Sequence, residues 1–280
     1  MARELTYNQT VERSIIKTYR KSIWNPFVEA CKNYRLVNEG DRIAVCISGG
    51  KDSVLLAKCL QQLKRVSDTQ FELMFICMDP GYNEMNRKMI EENCKNLEIP
   101  VRIFESDIFS VTEHVGGSPC YLCARMRRGH LYARAKELGC NKIALGHHLS
   151  DVIETTVMGM FYGAQLQAML PKLHSTNFEG MELIRPLYCV NEDAVIKWRD
   201  FNNLEFLQCA CRFVDEYSHS ENGIGESKRQ EIKHLIKELR KINPDIESNI
   251  FNSIHNVKLD TFVSYKQKGI EHSFLEEFEY

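Results

Sequence analysis

Apolar positions recur along this chain with two different periods. Over residues 8–36, Val11, Ile15, Ile16, Tyr19, Ile23 and Phe27 fall three to four apart, the spacing of an amphipathic helix that packs on the next part of the chain. Short, nearly continuous apolar runs then alternate with helical patterns. R-I-A-V-C-I-S (42–48) is followed by a helix over about 52–65, F-E-L-M-F-I-C-M (71–78) by a helix near 84–97, and then comes V-R-I-F-E-S (101–106). A helix over about 121–138, K-I-A-L-G-H (142–147), a helix over about 151–164 and M-E-L-I-R-P-L (181–187) continue the alternation. Strands that are apolar on both faces and separated by helices predict an α/β protein, a doubly wound parallel sheet covered on both sides. In such a sheet the ligand lies beyond the C-terminal ends of the strands, where strand order reverses.

The pattern predicts an N-terminal helical extension over 1–38, a catalytic domain over 39–215 and a helical C-terminal tail over 216–280. Residues 214–227, V-D-E-Y-S-H-S-E-N-G-I-G-E-S, read as a loop or hinge, and the helix after it stops before Pro244. The last stretch shows no strong pattern, and the chain contains no internal repeat.

Composition narrows the class. The 280 residues are 44% hydrophobic, enough for a substantial core, and no apolar run approaches the ~20 residues of a membrane span. The first residues lack the apolar core of a signal peptide, so the cytoplasm is the expected location, with no membrane partner. Eleven cysteines without an export signal argue for metal or redox use rather than a disulfide framework. A net charge of −2 leaves no global footprint for nucleic acid, so any such contact is local. Basic residues cluster at 125–136 and at 228–241; the second cluster is interleaved with Glu231 and Glu238 at helical spacing and reads as a solvated face.

The first strand runs into I-S-G-G-K-D-S-V-L-L-A (47–57), where a helix begins at once. Adjacent glycines let the backbone turn tightly and present its N–H groups, and the helix N-terminus adds positive potential, so an anion such as phosphate is expected there. The Walker pattern does not fit, because its first glycine would fall on Val45 and Lys51 is followed by Asp52. The bland alternative is a glycine turn with Asp52 or Ser53 capping the helix. Asp79, at the end of the second strand, either lines a nucleotide site or serves the turn before Pro80 and Gly81. At the end of K-I-A-L-G-H, the stretch A-L-G-H-H-L-S-D (144–151) offers Gly146 for close approach of a nucleotide and His147 beside it. Asp151 would hold Mg²⁺ or orient an acceptor base, or else complement the helix dipole.

C-Y-L-C-A-R-M-R-R-G (120–129) supports three readings: a redox pair, half of a zinc site with Cys209 and Cys211, or an iron–sulfur cluster. In the last, three thiolates leave one iron open, which a sulfur-transfer reaction can use.

Ser48, Gly49, Gly50, Lys51, Asp52 and Ser53 match the pyrophosphate loop of the PP-loop ATP-pyrophosphatases, adenine nucleotide alpha-hydrolase-like proteins. The resemblance implies ATP cleaved between its α and β phosphates, with backbone contacts from Gly49 and Gly50, hydroxyl contacts from Ser48 and Ser53 and a charge contact from Lys51. Further motifs narrow it. G-D-R-I-A-V-C-I-S-G-G-K-D-S (40–53), C-Y-L-C followed by basic residues, K-I-A-L-G-H-H (142–148), M-F-Y-G (160–163), P-K-L (171–173) and I-R-P-L (184–187) resemble the TtcA-type tRNA 2-thiocytidine synthetases from about residue 10 to about 215.

That family resemblance implies a [4Fe–4S] cluster on Cys120, Cys123 and Cys209, with tRNA and ATP as substrates. It further implies adenylation of the C2 oxygen of a cytidine, followed by attack of sulfide. Lys51, Asp151 and Cys209 are then the expected catalytic residues, and Arg127 and Arg128 would meet AMP or RNA phosphate. A sulfide or persulfide donor such as a cysteine desulfurase, and a homodimer, complete the expected partners. Two departures stand out: Ser150 occupies a position where the family carries aspartate, and the late pair is C-A-C, which makes Cys211 an alternative to Cys209. A PP-loop enzyme acting on a small molecule, or a non-catalytic nucleotide or sulfide sensor, are the competing expectations.

Overall fold

Five of the six residues of Arg42–Ile47 (β1) are buried, because strands on both sides and helices on both faces surround it. The computed structural model describes residues 5–106, 108, 119–207 and 228–278, and of residues 119–125 and 277 the backbone alone. The chain then alternates as its apolar pattern requires: Lys51–Val66 (α3), Glu72–Asp79 (β2), Glu84–Asn96 (α4), Val101–Glu105 (β3), Pro119–Glu137 (α5), Lys142–Ala144 (β4) and Leu149–Gly163 (α6). Lys172–His174 (β5), Glu182–Ile184 (β6) and Glu192–Phe201 (α7) come next. The sheet order is β3-β2-β1-β4-β6-β5. β1 pairs in parallel with β2 through Ile47↔Cys77 and with β4 through Val45↔Ala144, so the order reverses about β1 as in a doubly wound sheet. β5 pairs antiparallel to β6 (Leu173↔Leu183) and edges an otherwise parallel sheet.

The described residues fall into two compact units: one from the N-terminus to Val152 and from Met169 to 207, the other from Ile153 to Ala168 and from 228 onward. The first unit holds the six-stranded sheet. Its core includes Ala44, Ile76, Tyr132, Ile143 and Leu183, with the Tyr132 and Phe178 rings stacked at 5.2 Å. The N-terminal amphipathic stretch belongs to this unit but is not one helix. It is divided into Tyr7–Ile16 (α1), a π-helical turn over Arg20–Trp24, and Asn25–Asn33 (α2), because Pro26 can occupy only the first turn of a helix. Thr6 caps α1 through a reciprocal capping box with Gln9. A buried polar network then binds α1 to α3: the fully buried Lys58 ammonium lies 2.6 Å from Glu12 Oε1 and donates to Asn8 Oδ1 and the Leu97 carbonyl. Arg65 approaches the same Glu12 oxygen at 2.7 Å.

The second unit contains the later part of α6, the helices Lys228–Ile242 (α8) and Ile246–Ser253 (α9), and a hairpin of Ser264–Gln267 (β7) with Ile270–Ser273 (β8). The hairpin had no counterpart in the apolar pattern. Its two-residue turn places Lys268 at φ 52° and Gly269 at φ 83°, the left-handed pair that a tight hairpin demands. The stretch expected to be a hinge, 214–227, lies outside the described residues. Among the described residues no helix is long and apolar enough to cross a membrane.

Candidate active site

β1 delivers the chain at Ile47 into the phosphate-loop candidate, and α3 starts at Lys51. Gly49 makes this turn at φ +82°, and a Cβ there would lie 2.8 Å from Ile90 Cγ1 and 2.9 Å from Leu207 Cδ1. Both the dihedral and the space therefore demand glycine. Gly50 is the N-cap of α3 and has no side chain to occupy the first-turn amides, which remain directed at the loop mouth. Ser53 is nearly fully buried and locks the loop from inside: its hydroxyl donates to the Gly50 carbonyl at 2.9 Å and accepts from the Ser48 amide at 3.1 Å. The Ser48 and Ser53 hydroxyls are 3.2 Å apart. These two serines thus shape the loop as well as being candidates to touch a ligand.

Lys51 is held between two carboxylates, with Nζ 3.1 Å from Asp52 Oδ2 and 3.2 Å from Glu192 Oε1. Burial alone would lower its pKa, but Asp52 and Glu192 outweigh that and the net shift is upward, so the ammonium stays charged. Glu192 was not legible as a site residue. It is the first residue of α7, which Asn191 caps by accepting from the Asp193 amide at 2.8 Å. Its own amide donates to Ser150 Oγ at 3.3 Å, so the serine that stands where the resembled family has aspartate links α6 to α7.

The end of β4 adds a second group. A Cβ on Gly146 would come within 3.0 Å of the Asp52 carbonyl carbon and 3.1 Å of the Ser53 amide nitrogen, so the close approach it permits is that of the α3 backbone. His147 is partly buried beside it. The histidine joined to the carboxylates is His148, which is buried. Its Nδ1 lies 3.3 Å from Asp151 Oδ2 and its Nε2 lies 3.7 Å from Asp52 Oδ1. Asp151 Oδ2 also accepts from the His148 amide at 3.0 Å, the contact of a first-turn acid closing its helix start. Asp52 Oδ1 is buried and has no hydrogen-bond partner among the described residues.

Asp79 ends β2 as a turn residue does: Oδ1 accepts from the Gly81 and Tyr82 amides at 2.9 and 2.7 Å, and Oδ2 faces Arg87 at 3.3 Å. Arg127, on α5, donates to the Tyr82 hydroxyl at 3.2 Å. Arg185, from I-R-P-L, is buried and donates to the Leu170 carbonyl, while its Nε has no partner among the described residues. Burial first, and the nearby Arg128 second, push its pKa down to about 10, with Asp151 opposing.

The backbone of residues 120 and 123 lies on α5, three positions apart and so on one helix face. Cys209 and Cys211 lie outside the described residues. Among the described residues no three His, Cys, Asp or Glu side chains gather as a metal site.

A phosphate loop between the first strand and helix of a mostly parallel sheet, with a charged lysine at its mouth, defines a nucleotide-binding PP-loop domain, and the family described as PP-loop domain matches residues 12–219. A tRNA-cytidine(32) 2-sulfurtransferase of Alkalilimnicola ehrlichii is 38% identical over 250 residues, 87% of this chain and 75% of that protein. One from Syntrophotalea carbinolica is 36% identical over 233 residues, 82% of this chain and 86% of that protein. The chain belongs to the family of these tRNA-cytidine(32) 2-sulfurtransferases. Among solved structures, the U34-tRNA thiolase NcsA of Methanococcus maripaludis with its [4Fe–4S] cluster is similar at a TM-score of 0.65 and 22% identity, covering 83% of this chain and 77% of that one, which shows a shared fold.

Proposed function

We propose that this chain uses ATP to replace the C2 oxygen of a cytidine in tRNA with sulfur, at position 32 as in the names of its curated relatives. The observation that carries the reading is the loop Ser48–Ser53 with Lys51 held charged at its mouth, in a chain 38% identical to such an enzyme over 87% of its length. The N-terminal amides of α3, the Gly49 and Gly50 backbone and Lys51 would take the β and γ phosphates, Lys51 exchanging a carboxylate for a phosphate oxygen. The cytidine C2 oxygen attacks the α phosphorus and pyrophosphate leaves. Sulfide then adds at C2, and the C–O bond breaks with the oxygen departing in AMP. Arg127 and Arg128 would neutralise AMP or RNA phosphate, while Asp79 fixes the turn that carries Tyr82 against Arg127.

The donor that fits a Mg²⁺ entering with ATP is Asp52 Oδ1, buried and without a hydrogen-bond partner among the described residues. Asp151, bound to the His148 amide, would hold the β4–α6 junction against the acceptor base. For a [4Fe–4S] cluster the fit rests on which cysteines are available. The side chains of seven of the eleven are described; six are buried and Cys189 partly so, and burial pushes every one of these thiols up, Cys77 to about 12 and Cys94 and Cys189 to about 11. Thiols held protonated are poor ligands. That leaves four cysteines, of which the family resemblance points to Cys120, Cys123 and Cys209, with Cys211 as the alternative, as those that would hold the cluster. Such a cluster supplies an iron with an open coordination position for sulfide. The reading also takes a sulfide or persulfide donor, with a cysteine desulfurase as the candidate, a homodimer and a cytoplasmic location.

Mass spectrometry of tRNA nucleosides tests it. Deleting the gene should remove 2-thiocytidine and re-expression should restore it; an unchanged nucleoside profile refutes the reading.

A further inference from the structure

The strand ends carry a second positive group besides the phosphate loop. β6 stops at Ile184, and the next residue, Arg185, is buried with 6% of its surface exposed. Its Nη1 donates to the Leu170 carbonyl, but Nε is buried and has no hydrogen-bond partner among the described residues. The charges that bear on this guanidinium do not balance: Arg128 of α5 repels it more strongly than Asp151 attracts it. A buried charge without a paired acid is costly, and a like charge beside it adds to the cost. Arg128 is exposed and stands one helical turn before the buried Tyr132, so the two arginines offer one donor group from the interior and one from the solvent side. An anion held by both would supply the missing countercharge and the missing acceptor together.

We propose that Arg185, with Arg128, binds one phosphate of the tRNA strand beside the target cytidine. The inference rests on the tRNA reading above and adds which residue holds the acceptor strand. A guanidinium is a planar fork that meets two phosphate oxygens side by side, and with Nη1 fixed on Leu170 the edge through Nε is the one left for them. Strand order favours RNA over the nucleotide as the source of that phosphate. The phosphate loop stands at the end of β1, and β6 lies two strands away, about 9–10 Å at the usual spacing between strands. In an in-line displacement the attacking oxygen enters opposite the leaving pyrophosphate. Pyrophosphate at the end of β1 and an acceptor strand beyond the end of β6 would flank an α phosphorus placed over β4 in that way.

The test uses the full chain and tRNA assembled by ligation, in which the phosphates flanking the target cytidine are replaced one at a time by neutral methylphosphonates. RNA binding is read by anisotropy and ATP binding by calorimetry. Arg185→Gln should weaken binding of the unsubstituted tRNA roughly tenfold, the loss of a charge-assisted contact, and raise KM for tRNA while ATP affinity stays within about twofold. The slope of log K against log salt should flatten by about 0.7–0.9, the share of a single phosphate. At one linkage, neutralisation should cost the wild type roughly tenfold and Arg185→Gln less than about twofold, a coupling that an arginine serving only to hold Leu170 does not produce. Arg128→Gln, at an exposed position, should show the same coupling at the same linkage and carries the test if Arg185→Gln does not fold. Additivity at every linkage overturns the proposal. So does a fall in ATP affinity with tRNA binding unchanged, which would assign the arginines to the α phosphate. A wild-type chain that neither binds the tRNA nor forms 2-thiocytidine in it overturns the tRNA reading itself, an outcome distinct from a wild type that thiolates while every linkage is additive.

Discussion

Substituting Gly49 by alanine perturbs the phosphate loop at its most constrained point. Two costs add. Holding an L-residue at φ +82° costs about 1–2 kcal/mol. A methyl group 2.8 Å from Ile90 Cγ1 and 2.9 Å from Leu207 Cδ1 overpacks the contact by about 1–3 kcal/mol more. Gly49→Ala should therefore lower stability by about 2–5 kcal/mol, a large share of the ~5–15 kcal/mol available to a domain. Because relief comes by moving the loop, ATP affinity should fall with it. The assay is urea unfolding of Gly49→Ala, Ile90→Ala and the double variant, with ATP binding measured calorimetrically on each. Truncating Ile90 removes two of the three close contacts of the new methyl but leaves the one with Leu207 and the dihedral strain. The double variant should thus be more stable than the sum of the singles by about 1–3 kcal/mol and still weaker than Ile90→Ala alone. A Gly49→Ala cost below about 0.5 kcal/mol, or strict additivity with Ile90→Ala, would refute the geometry.

Glu192→Gln should lower the Lys51 pKa by removing one of the two carboxylates that raise it. A raised lysine pKa contributes stability that is complete below its ordinary value near 10.5 and is lost as pH climbs through the folded value, so in alkaline titration the variant should lose stability at lower pH than wild type. Glu12→Gln leaves the buried Lys58 with a weakened partner set and should cost about 3–5 kcal/mol by thermal unfolding at neutral pH. Burial opposes ionisation of Glu12, but hydrogen bonds from Arg65 and Lys58 win and lower its pKa; its contribution is therefore present above about pH 4.5 and lost on acidification, and the wild-type advantage should shrink there. Cys120→Ala, Cys123→Ala and Cys209→Ala should each abolish iron–sulfur absorbance and tRNA thiolation together while ATP still binds; full activity in a cluster-free variant would sink the cluster assignment.

Much of the first unit was legible from local pattern. The alternation of apolar runs with helical spacing located β1, β2 and β4 to within a few residues, because strands buried on both faces are apolar over most of their length, and it located the edge strand β3 although none of its residues is buried. The three-residue edge strand β5 was not legible: so short a segment carries too few positions to show a period. The break in the N-terminal helix was written in Pro26 but masked by an apolar spacing that continues across it. In the site, the pair of glycines was readable because a tight strand-to-helix turn needs them. The partner of Lys51 was not. N-E-D at 191–193 signals only a helix start, and Glu192 lies 141 residues from the lysine it meets.

What the sequence determined by itself is the class of sheet and the place of the phosphate loop, since both arise from requirements felt within a dozen residues. What only the tertiary structure decided is which side chains face that loop. Glu192 and His148 reach it, and Ser150 ties down the start of the Glu192 helix, because β4 and β6 lie on one side of β1 while β2 and β3 lie on the other. That order is set by how the crossover helices pack, and no local period encodes it. The same packing explains why Gly146 makes room for the α3 backbone: the strand end and the helix start are brought so close that a Cβ on Gly146 would lie 3.0 Å from the Asp52 carbonyl carbon, in a fold that neither segment specifies alone.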